Sequence, residues 1–320
     1  MKRIARVAVA LFLSFLSLHA VAQTWPQRPV KFILPLGAGA GADIGARLFA
    51  DRLAKRWGQP VVVENRPGAD GVIAINAVIS ARDDHTLLWG PTATFVGHPY
   101  ALEKLPYDPK ELVPVARVTN TVVVFAVPAS SSARSMKDLI GLVREQPGKM
   151  NWASVVTVTD IIIASYLKSA GLEMARIPYK DTVSALNDLI EGRIQLYSAA
   201  YAIVRAQAQS GRIRLLAVMN RNRVPGLDLP TVAEAGYPEM NFDGLVGLIA
   251  ARSSGLADAV RERIAADIKA VAEEPAVAER LTATAQIISP GTAAEFAASI
   301  DEQAAQLAAV AKTLGIKPKP

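Results

Sequence analysis

Residues 30–57 read VKFILPLGAGAGADIGARLFADRLAKRW, and this stretch decides the fold. Its apolar beginning ends at a glycine-rich turn, which predicts a buried strand over residues 30–36. Apolar side chains then recur at helical spacing, which predicts a helix over residues 44–57 that stops at Gly58. A strand, a glycine-rich loop and a helix in this order are typical of an α/β fold with a mainly parallel sheet.

The alternation of strand-like and helix-like segments continues along the chain, and no internal repeat interrupts it. Ser135 and Asp160 are candidate N-caps for two helices, and Thr292 with Glu295 forms a capping-box pattern before the last one. Strands, one of them with its following loop, are predicted at 61–65, 86–89, 151–158, 194–198 and 215–219, and helices at 72–81, 136–146, 161–170, 182–191, 256–274, 277–284 and 293–314. The chain after residue 250 is therefore predicted to be helical.

Two proline-containing connectors, residues 100–114 and 225–230, divide the alternation into two parts. Residues 115–127 and 242–250 predict strands that leave the first part and return to it. We therefore predict a periplasmic-binding-protein fold of two Rossmann-like lobes with two crossover strands, the first lobe from 23–118 plus 226–320 and the second from 119–225. A cleft between such lobes is a natural small-molecule site that closes by hinge motion.

Composition excludes several classes of function. The chain has 320 residues, 51% of them hydrophobic, and a formal net charge of +6. Three basic residues lie within the first six, which leaves 32 basic against 29 acidic residues in the remainder. Without a basic run, nucleic acid is not expected as a partner. The absence of cysteine excludes disulfides, thiolate catalysis and cysteine-type metal sites.

The N-terminus has the pattern of a secretory signal peptide over residues 1–22. A basic start is followed by an apolar run at 7–18, and Ala20-Val21-Ala22 fits the small-x-small cleavage rule. Gln23 would then be the mature N-terminus, and the protein would be periplasmic. The alternative is an N-terminal membrane anchor, which the short apolar run disfavours.

The loop GAGAGAD at residues 37–43 is the first candidate site. Glycines let the backbone approach a ligand, and the N-terminus of the following helix offers free N–H groups that suit a carboxylate. The loop also matches the dinucleotide fingerprint, with Glu64 at the end of the next strand, so a dinucleotide-using enzyme is an alternative. The export signal and the spacing of Pro35 and Leu36 weigh against it. A tight turn without a ligand is a third interpretation.

Individual polar residues allow a structural and a functional interpretation. Asp43 is predicted to be the N-cap of the first helix, or else to face the cleft and select a ligand that donates hydrogen bonds. Hydroxyls in 151–159 could hold a polar ligand group or simply cap their own helix. His85 and His98 are predicted to be turn or surface residues. No nucleophile motif, metal motif or P-loop is present.

Several strings in the sequence resemble the Bug family, the substrate-binding receptors of tripartite tricarboxylate transporters. The similarity extends from about residue 25 to the C-terminus. It is carried by WPQRP at 25–29, PLGAGAGAD at 35–43, QPVVVENRPGA at 59–69, LPYDP at 105–109, PYK at 178–180 and LPTVAEAG at 229–236.

The resemblance implies a receptor without enzymatic activity or a cofactor. Its ligand would be a small organic acid or the amide of one, held largely by backbone amides and waters. Its partners would be the membrane components of a tripartite transporter, and the receptor would be a monomer. A sensory protein that presents its ligand to a membrane kinase is the alternative. By position, the implied ligand-binding residues are Leu36, Ala38, Gly39, Gly41, Asp43, Thr92, Thr94, Ser154, Thr157, Thr159 and Tyr179.

The second-lobe loop at residues 155–160 departs most from the family's glycine-rich pattern. Val156 and Val158 are predicted to crowd a ligand, and Asp160 is predicted to repel a second carboxylate. Our hypothesis is a monocarboxylate whose far end is apolar, aromatic, an amide or an amine. The first loop departs as well, because Leu36, Ala40 and Ala42 replace the family's aromatic, glycine and hydroxyl residues.

Overall fold

The computed structural model describes residues 25–154, 156–179 and 181–319. The predicted signal peptide and its cleavage site lie outside the described residues, as do Val155 and Lys180. No helix in the described part of the chain is both long and apolar enough to cross a membrane.

The described residues contain strands and helices in alternation, as predicted. The strands are β1 Val30–Leu34, β2 Val61–Asn65, β3 Thr86–Pro91, β4 Leu112–Thr121, β5 Val123–Pro128, β6 Asn151–Ser154, β7 Ala175–Arg176, β8 Leu196–Ala200, β9 Ile213–Val218, β10 Gly244–Ala251 and β11 Gln286–Gly291. The helices are α1 Gly41–Trp57, α2 Val72–Ala81, α3 Ala93–Val96, α4 His98–Ala101, α5 Met136–Glu145, α6 Thr157–Ser169, α7 Thr182–Ile190, α8 Tyr201–Gln209, α9 Asp258–Ala272, α10 Pro275–Ala283 and α11 Ala293–Leu314.

The strands form two separate sheets, which confirms the predicted α/β fold class. The six-stranded sheet has the order β11-β4-β10-β3-β1-β2, and the five-stranded sheet has the order β7-β6-β8-β5-β9. Strands β1, β2 and β3 pair in parallel, as do β6, β7 and β8, whereas the crossover strands pair antiparallel to their neighbours. We call the part built on the larger sheet the first lobe and the part built on the smaller sheet the second lobe.

Apolar side chains that alternate along the strands build the cores. In the first lobe, Phe32 and Trp89 are almost fully buried, with ring centroids 5.3 Å apart, and Phe49 of α1 packs on Trp89 at 5.4 Å. Each such ring removes a large apolar surface from water, and the sum stabilises the sheet between its helices. The C-terminal helix α11 links the two cores, because Phe296 lies in the first and Leu307 in the second.

The chain passes between the sheets at Val122, where β4 ends and β5 begins. The predicted long strand over 115–127 is thus two strands in different sheets. The buried side chain of Asn220 connects this crossing to its surroundings: its Oδ1 accepts from the Val123 amide at 2.9 Å, and its Nδ2 donates to the Thr121 carbonyl at 2.9 Å and to Asn120 Oδ1 at 3.0 Å. These side-chain hydrogen bonds therefore support the backbone on both sides of Val122, the point that we call the hinge.

Local capping signals identify some helix ends correctly and others incorrectly. Ser135 accepts from the Asp138 amide, and the Thr292–Glu295 capping box is present, so both predictions are confirmed. Helix α6 begins at Thr157, however, so Asp160 lies within its first turn and is not its N-cap.

Five elements of the described chain were not predicted: the short helices α3 and α4, the two-residue strand β7, helix α8 and strand β11. Helix α8 at Tyr201–Gln209 follows β8 directly, and strand β11 at Gln286–Gly291 lies in a region predicted to be helical. Strand β11 contains proline and glycine and has a register irregularity, so it lacks the alternation that identifies a strand. Its pairing with β4, distant in sequence, defines it. The assignment of 23–118 plus 226–320 and of 119–225 to the lobes stays a prediction.

Candidate functional site

The loops after β1, β2 and β3 meet at one edge of the first-lobe sheet. A Cβ atom at Gly71 would overlap the Thr94 side chain and lie 3.1 Å from Pro35 Cβ, and one at Gly90 would lie 3.0 Å from Pro35 Cγ. Gly71 also has a φ of +88°. Glycine is therefore required where these backbones approach one another. The predicted contact loops of this lobe form one continuous surface.

The N-terminus of α1 is an open part of that surface. Ala38 and Gly39 are exposed, and the N-cap residue Ala40 makes no side-chain cap hydrogen bond. Within the described residues, the amides of Gly41 and Ala42 have no hydrogen-bond acceptor. Free N–H groups at the positive end of a helix dipole of 17 residues form a potential anion-binding site.

Asp43 holds this loop in place. Its buried carboxylate accepts from the Gly39 amide at 2.9 Å, from Asn65 Nδ2 at 2.8 Å and from both Nε and Nη2 of Arg47 at 3.2 and 3.0 Å. Burial alone would raise the pKa of Asp43, but the hydrogen bonds from Arg47, Gly39 and Asn65 together hold this pKa below its ordinary value. The N-cap prediction is wrong, because the cap position belongs to Ala40. With its four acceptor positions filled, the carboxylate orients the loop.

Gln286 is a site candidate that the sequence did not reveal. Its side chain is only 4% exposed, and its Oε1 accepts from the hydroxyls of Thr119 at 3.0 Å and Thr121 at 3.2 Å. Its Nε2 has no acceptor among the described residues and lies 2.8 Å from where a Cβ of Gly41 would be. A buried amide donor thus points at the open N-terminus of α1. The pairing of β11 with β4 places it there, and no local sequence signal indicates it.

The two threonines predicted in the first lobe differ in their surroundings. Thr92 is fully buried, and its hydroxyl donates to Gln303 Oε1 at 2.5 Å while its amide donates to the Leu245 carbonyl at 2.9 Å. Thr94 is half-buried and packs on Gly71. Thr92 therefore anchors its loop to the C-terminal helix, and Thr94 lies at the surface of the site.

Three predicted hydroxyls of the second lobe have partners within that lobe. Ser154 and Thr159 are buried and hydrogen-bond each other, and Thr159 Oγ1 also donates to the Val156 carbonyl at 2.8 Å. Tyr179 donates to Asp188 Oδ2 at 2.6 Å, and burial together with that hydrogen bond raises the pKa of Tyr179 to about 12. Ser154 and Thr159 therefore make local hydrogen bonds at the loop before α6, which has no side-chain cap hydrogen bond of its own.

Thr157 is the predicted residue that connects the lobes. Its hydroxyl donates to Asp70 Oδ2 at 3.2 Å, across 87 positions of sequence. Asp70 was not predicted, although it lies in the glycine-rich turn after β2. Ala69 and Asp70 are consecutive non-glycine residues in the left-handed region, with φ of 47° and 50°. Such conformations are costly and concentrate at functional sites.

His98 fixes the backbone of Asp70. It is fully buried, so the prediction of a turn or surface residue is wrong. Its Nε2–H donates to the Asp70 carbonyl at 2.9 Å, and its Nδ1 accepts from the Tyr107 hydroxyl at 2.6 Å. Burial lowers the pKa of His98, and the interactions with Asp70 offset this only in part. The neutral imidazole therefore holds the Asp70 carbonyl in position.

Asp160 faces the same region from the second lobe. Its Oδ2 pairs with Arg176, whereas its Oδ1 is buried and has no hydrogen-bond partner. Burial raises the pKa of Asp160, Arg176 lowers it in part, and the charge of Asp70 raises it further. Burial likewise raises the pKa of Asp70, while His98 and Thr157 lower it in part. The ionised form of Asp160 is therefore incompletely compensated, whereas the half-exposed side chain of Asp70 is still in contact with water.

The two valines of the second-lobe loop have separate roles. Val156 is exposed at 38%, and its crowding of a ligand stays a prediction. Val158 is buried and packs against Gly97 of the first lobe, where a Cβ would lie 3.1 Å from Val158 Cγ2. The expectation that Val158 crowds the ligand is therefore wrong.

Two other features lie away from this site. Asp83, Asp84 and His85 come within metal-ligating reach of one another, but Arg28 pairs with both aspartates, and Nε2 of His85 already accepts from the Gln27 amide. His85 lies in the turn before β3, so the prediction of a turn or surface residue is met by the turn, although its side chain is buried. A polar cavity of about 450 Å³ lies at the hinge, and none of the predicted site residues lines it.

The fold has two lobes joined at two crossings, and the N-terminus of α1 presents free amides that could bind an anion. This combination is typical of solute-binding proteins. The family model of the tripartite tricarboxylate transporter family receptor, TctC, matches residues 45–316. The chain belongs to this family of periplasmic solute-binding proteins, as its sequence motifs predicted.

Similar proteins agree with this assignment. A UPF0065 protein of Bordetella bronchiseptica is 32% identical over 306 residues, covering 93% of this chain and 89% of the relative. BugT of Bordetella pertussis is 33% identical and covers 68% of this chain and 69% of the relative. Among solved structures, Rpa4515 of R. palustris with adipate is 27% identical with a TM-score of 0.79, covering 92% of this chain and 100% of that one. The periplasmic binding protein BugD is 25% identical with a TM-score of 0.73, covering 92% and 99%.

Proposed function

We propose that this protein captures a small carboxylated organic solute and passes it unchanged to the membrane components of a tripartite tricarboxylate-type transporter. It acts as a monomer, exported to the periplasm by the signal peptide at residues 1–22. The observation that carries the proposal is the open N-terminus of α1, where the amides of Gly41 and Ala42 have no acceptor within the described residues. A carboxylate there gains hydrogen bonds and a favourable interaction with the helix dipole.

The relatives support the same ligand class. The structure of Rpa4515, 27% identical to this chain, contains adipate, which is a small carboxylate. The receptor family supports delivery to a transporter.

The predicted site residues divide into two roles in this proposal. Leu36, Ala38, Gly39 and Gly41 present backbone to the ligand, and Thr94 and Thr157 bring side chains to the surface of the site. The remaining residues act through others by holding the contact loops in position. These positioning residues are Asp43, Thr92, Ser154, Thr159 and Tyr179.

The proposed binding cycle uses the hinge. An open receptor exposes the N-terminus of α1, and closure brings Thr157 of the second lobe to Asp70 of the first, the contact present here at 3.2 Å. Rotation at Val122 changes the distance between lobes without breaking either sheet, because this residue separates β4 from β5.

A pair of glycine variants tests the carboxylate site. In Gly41→Ala, the new Cβ would be 2.8 Å from Gln286 Nε2, whereas in Gly37→Ala it would have nothing within 4 Å. We expect Gly41→Ala to weaken carboxylate binding about tenfold or more, since displaced donors lose charge-assisted hydrogen bonds. Gly37→Ala should bind within about twofold of the parent, because nothing opposes its methyl group.

The measurement is isothermal titration of protein purified from the periplasm with a panel of small carboxylates, followed by recovery of the ligand. Binding of a carboxylate that is recovered unchanged supports the proposal. Failure of every carboxylate, with binding of nicotinamide dinucleotides alone, would overturn it in favour of an enzyme. Equal loss in both glycine variants would show that the ligand does not use the N-terminus of α1.

A further inference from the structure

We infer that the solute carries a positively charged group, a protonated amine or a guanidinium, at the end opposite its carboxylate, and that Asp70 and Asp160 select it. This inference rests on the proposed function and names the class of its ligand: small ω-amino or ω-guanidino acids. It follows from an imbalance of charge between the two ends of the candidate site.

Among the described residues, the acidic end has one negative charge in excess. Asp70 and Asp160 contribute two carboxylates, and Arg176 is the cation that pairs with them, through Oδ2 of Asp160. His98 lies 3.8 Å from Asp70 but adds no charge, since one ring nitrogen donates to the Asp70 carbonyl and the other accepts from Tyr107. A cation on the ligand would restore the balance.

The acceptors at this end are incompletely used. Oδ1 of Asp160 is buried without a partner, although a buried acceptor normally has one. Asp70 Oδ2 has Thr157 as its hydrogen-bonding neighbour within the described residues, and that contact joins the two lobes. A ligand ammonium can donate three hydrogen bonds, so it suits carboxylates presented from both lobes at once.

The backbone holds Asp70 in an unfavourable conformation. Ala69 and Asp70 both have positive φ, and the buried His98 fixes the Asp70 carbonyl. A turn needed only to connect β2 with α2 could use glycine at these positions without strain. The conformation places the Asp70 carboxylate opposite the second lobe.

The opposite end of the site presents unpaired donors among the described residues. Gln286 is almost fully buried, at 4% exposed, and its Nε2 has no acceptor among the described residues. Because Thr119 and Thr121 donate to its Oε1, the amide nitrogen is turned toward the N-terminus of α1 at Gly41. Gln286 thus adds a third donor to the two free helix amides, which fixes the end that takes the carboxylate.

The donor end and the acidic end of the site together disfavour diacids and monoacids with an apolar far end. The second carboxylate of a diacid would meet Asp70 and Asp160 and be repelled. An apolar end would remove water from both carboxylates without replacing its hydrogen bonds, which is also unfavourable. A cationic end avoids both costs, and the acceptor end and the donor end then together fix the orientation of the ligand.

Matched ligands test the inference directly. At each chain length from butanoate to hexanoate, the monoacid, the diacid and the ω-amino acid differ only in their far end. We expect the ω-amino acid to bind tightest in isothermal titration at neutral pH, by about tenfold or more over the diacid of equal length. The guanidino acids should follow the amino acids.

Variants that remove one charge test which residues determine the preference for the amino acid. Asp70→Asn and Asp160→Asn keep side-chain shape and remove one charge, and asparagine tolerates the left-handed backbone of Asp70. Each should reduce the preference for the amino acid over the monoacid by about tenfold, chiefly through weaker binding of the amino acid. Asp301→Asn removes the same charge from an exposed position on α11 and should leave the preference unchanged. Gln286→Glu should weaken all three ligand types, because it turns a donor into an acceptor.

The outcomes separate the inference from the proposed function. If monoacids or diacids bind as tightly as their amino counterparts, the inference is wrong and the carboxylate receptor stands. If Asp70→Asn and Asp160→Asn weaken all ligands equally without lowering the melting temperature, the aspartates do not select the far end. If no carboxylate binds, the proposed function fails and the inference fails with it.

Discussion

Asp43 and Asp160 occupy similar places in the two lobes and have opposite environments. Each lies in the first turn of a helix that follows a strand and a short loop, and neither is the N-cap. Asp43 has its acceptor positions filled and a lowered pKa, whereas Asp160 has an unpartnered oxygen and a raised pKa. Burial raises the pKa in both cases, so the number of donors decides the sign.

The comparison separates a structural carboxylate from one available to a ligand. Donors from the loop, from β2 and from α1 surround Asp43, so its charge stabilises the fold. Among the described residues, Arg176 is the cation that pairs with Asp160, and the charge of Asp70 opposes the ionised form of Asp160, so this form costs stability. Uncompensated charge in a binding site is typical of groups that await a partner.

The largest expected effect is on Asp43. Asp43→Ala removes four hydrogen bonds and leaves Arg47 and Asn65 without their acceptor, so we expect a loss of about 2–4 kcal/mol in the free energy of unfolding. Chemical denaturation followed by circular dichroism measures it. Asp51→Ala, an exposed aspartate on the same helix that pairs with Lys55, is the control and should cost below about 1 kcal/mol. Equal losses in the two variants would contradict the structural role of Asp43.

Asp160→Asn should change stability in the opposite direction. The raised pKa means that the ionised carboxylate destabilises the unliganded fold above that pKa, so the variant should melt about 1–2 °C higher at neutral pH. The difference should shrink as the pH falls through the folded pKa toward 3.8, the ordinary value, because the wild-type group is then neutral too.

Asp43→Asn provides the matched comparison. The lowered pKa of Asp43 stabilises the fold above 3.8, and this contribution is lost as the pH falls below 3.8 through the folded pKa. Melting temperatures of the wild type and both variants between pH 3 and 8 should therefore diverge in opposite directions. If both variants shifted the melting temperature in the same direction at neutral pH, the contrast between Asp43 and Asp160 would be contradicted.

The smallest expected effect concerns the contact between the lobes. Thr157→Val keeps the shape of the side chain and removes its hydrogen bond to Asp70, which is 3.2 Å long. We expect ligand affinity to fall about threefold, equivalent to roughly 0.6 kcal/mol, with no change in melting temperature. Titration and thermal melting together measure this. A change in melting temperature without a change in affinity would place Thr157 in the fold and outside the binding step.

Local sequence determined much of this protein. Alternating strand and helix patterns predicted most elements of both sheets, and Ser135 and Thr292 identified two helix starts, because caps depend on neighbouring residues. The glycine-rich loop predicted the open N-terminus of α1, and the motif at 59–69 pointed to the receptor family.

The tertiary structure alone decided which polar groups meet. Gln286 reaches Gly41 because β11 pairs with β4, and Asp70 reaches Thr157 because the two lobes face each other. Neither contact leaves a periodic pattern in the chain, since each joins residues that are far apart in sequence. The pKa values of Asp43 and Asp160 depend in turn on such contacts. The sequence predicted the loops that surround the site. Contacts between residues distant in sequence determined its charges and its hydrogen-bond donors.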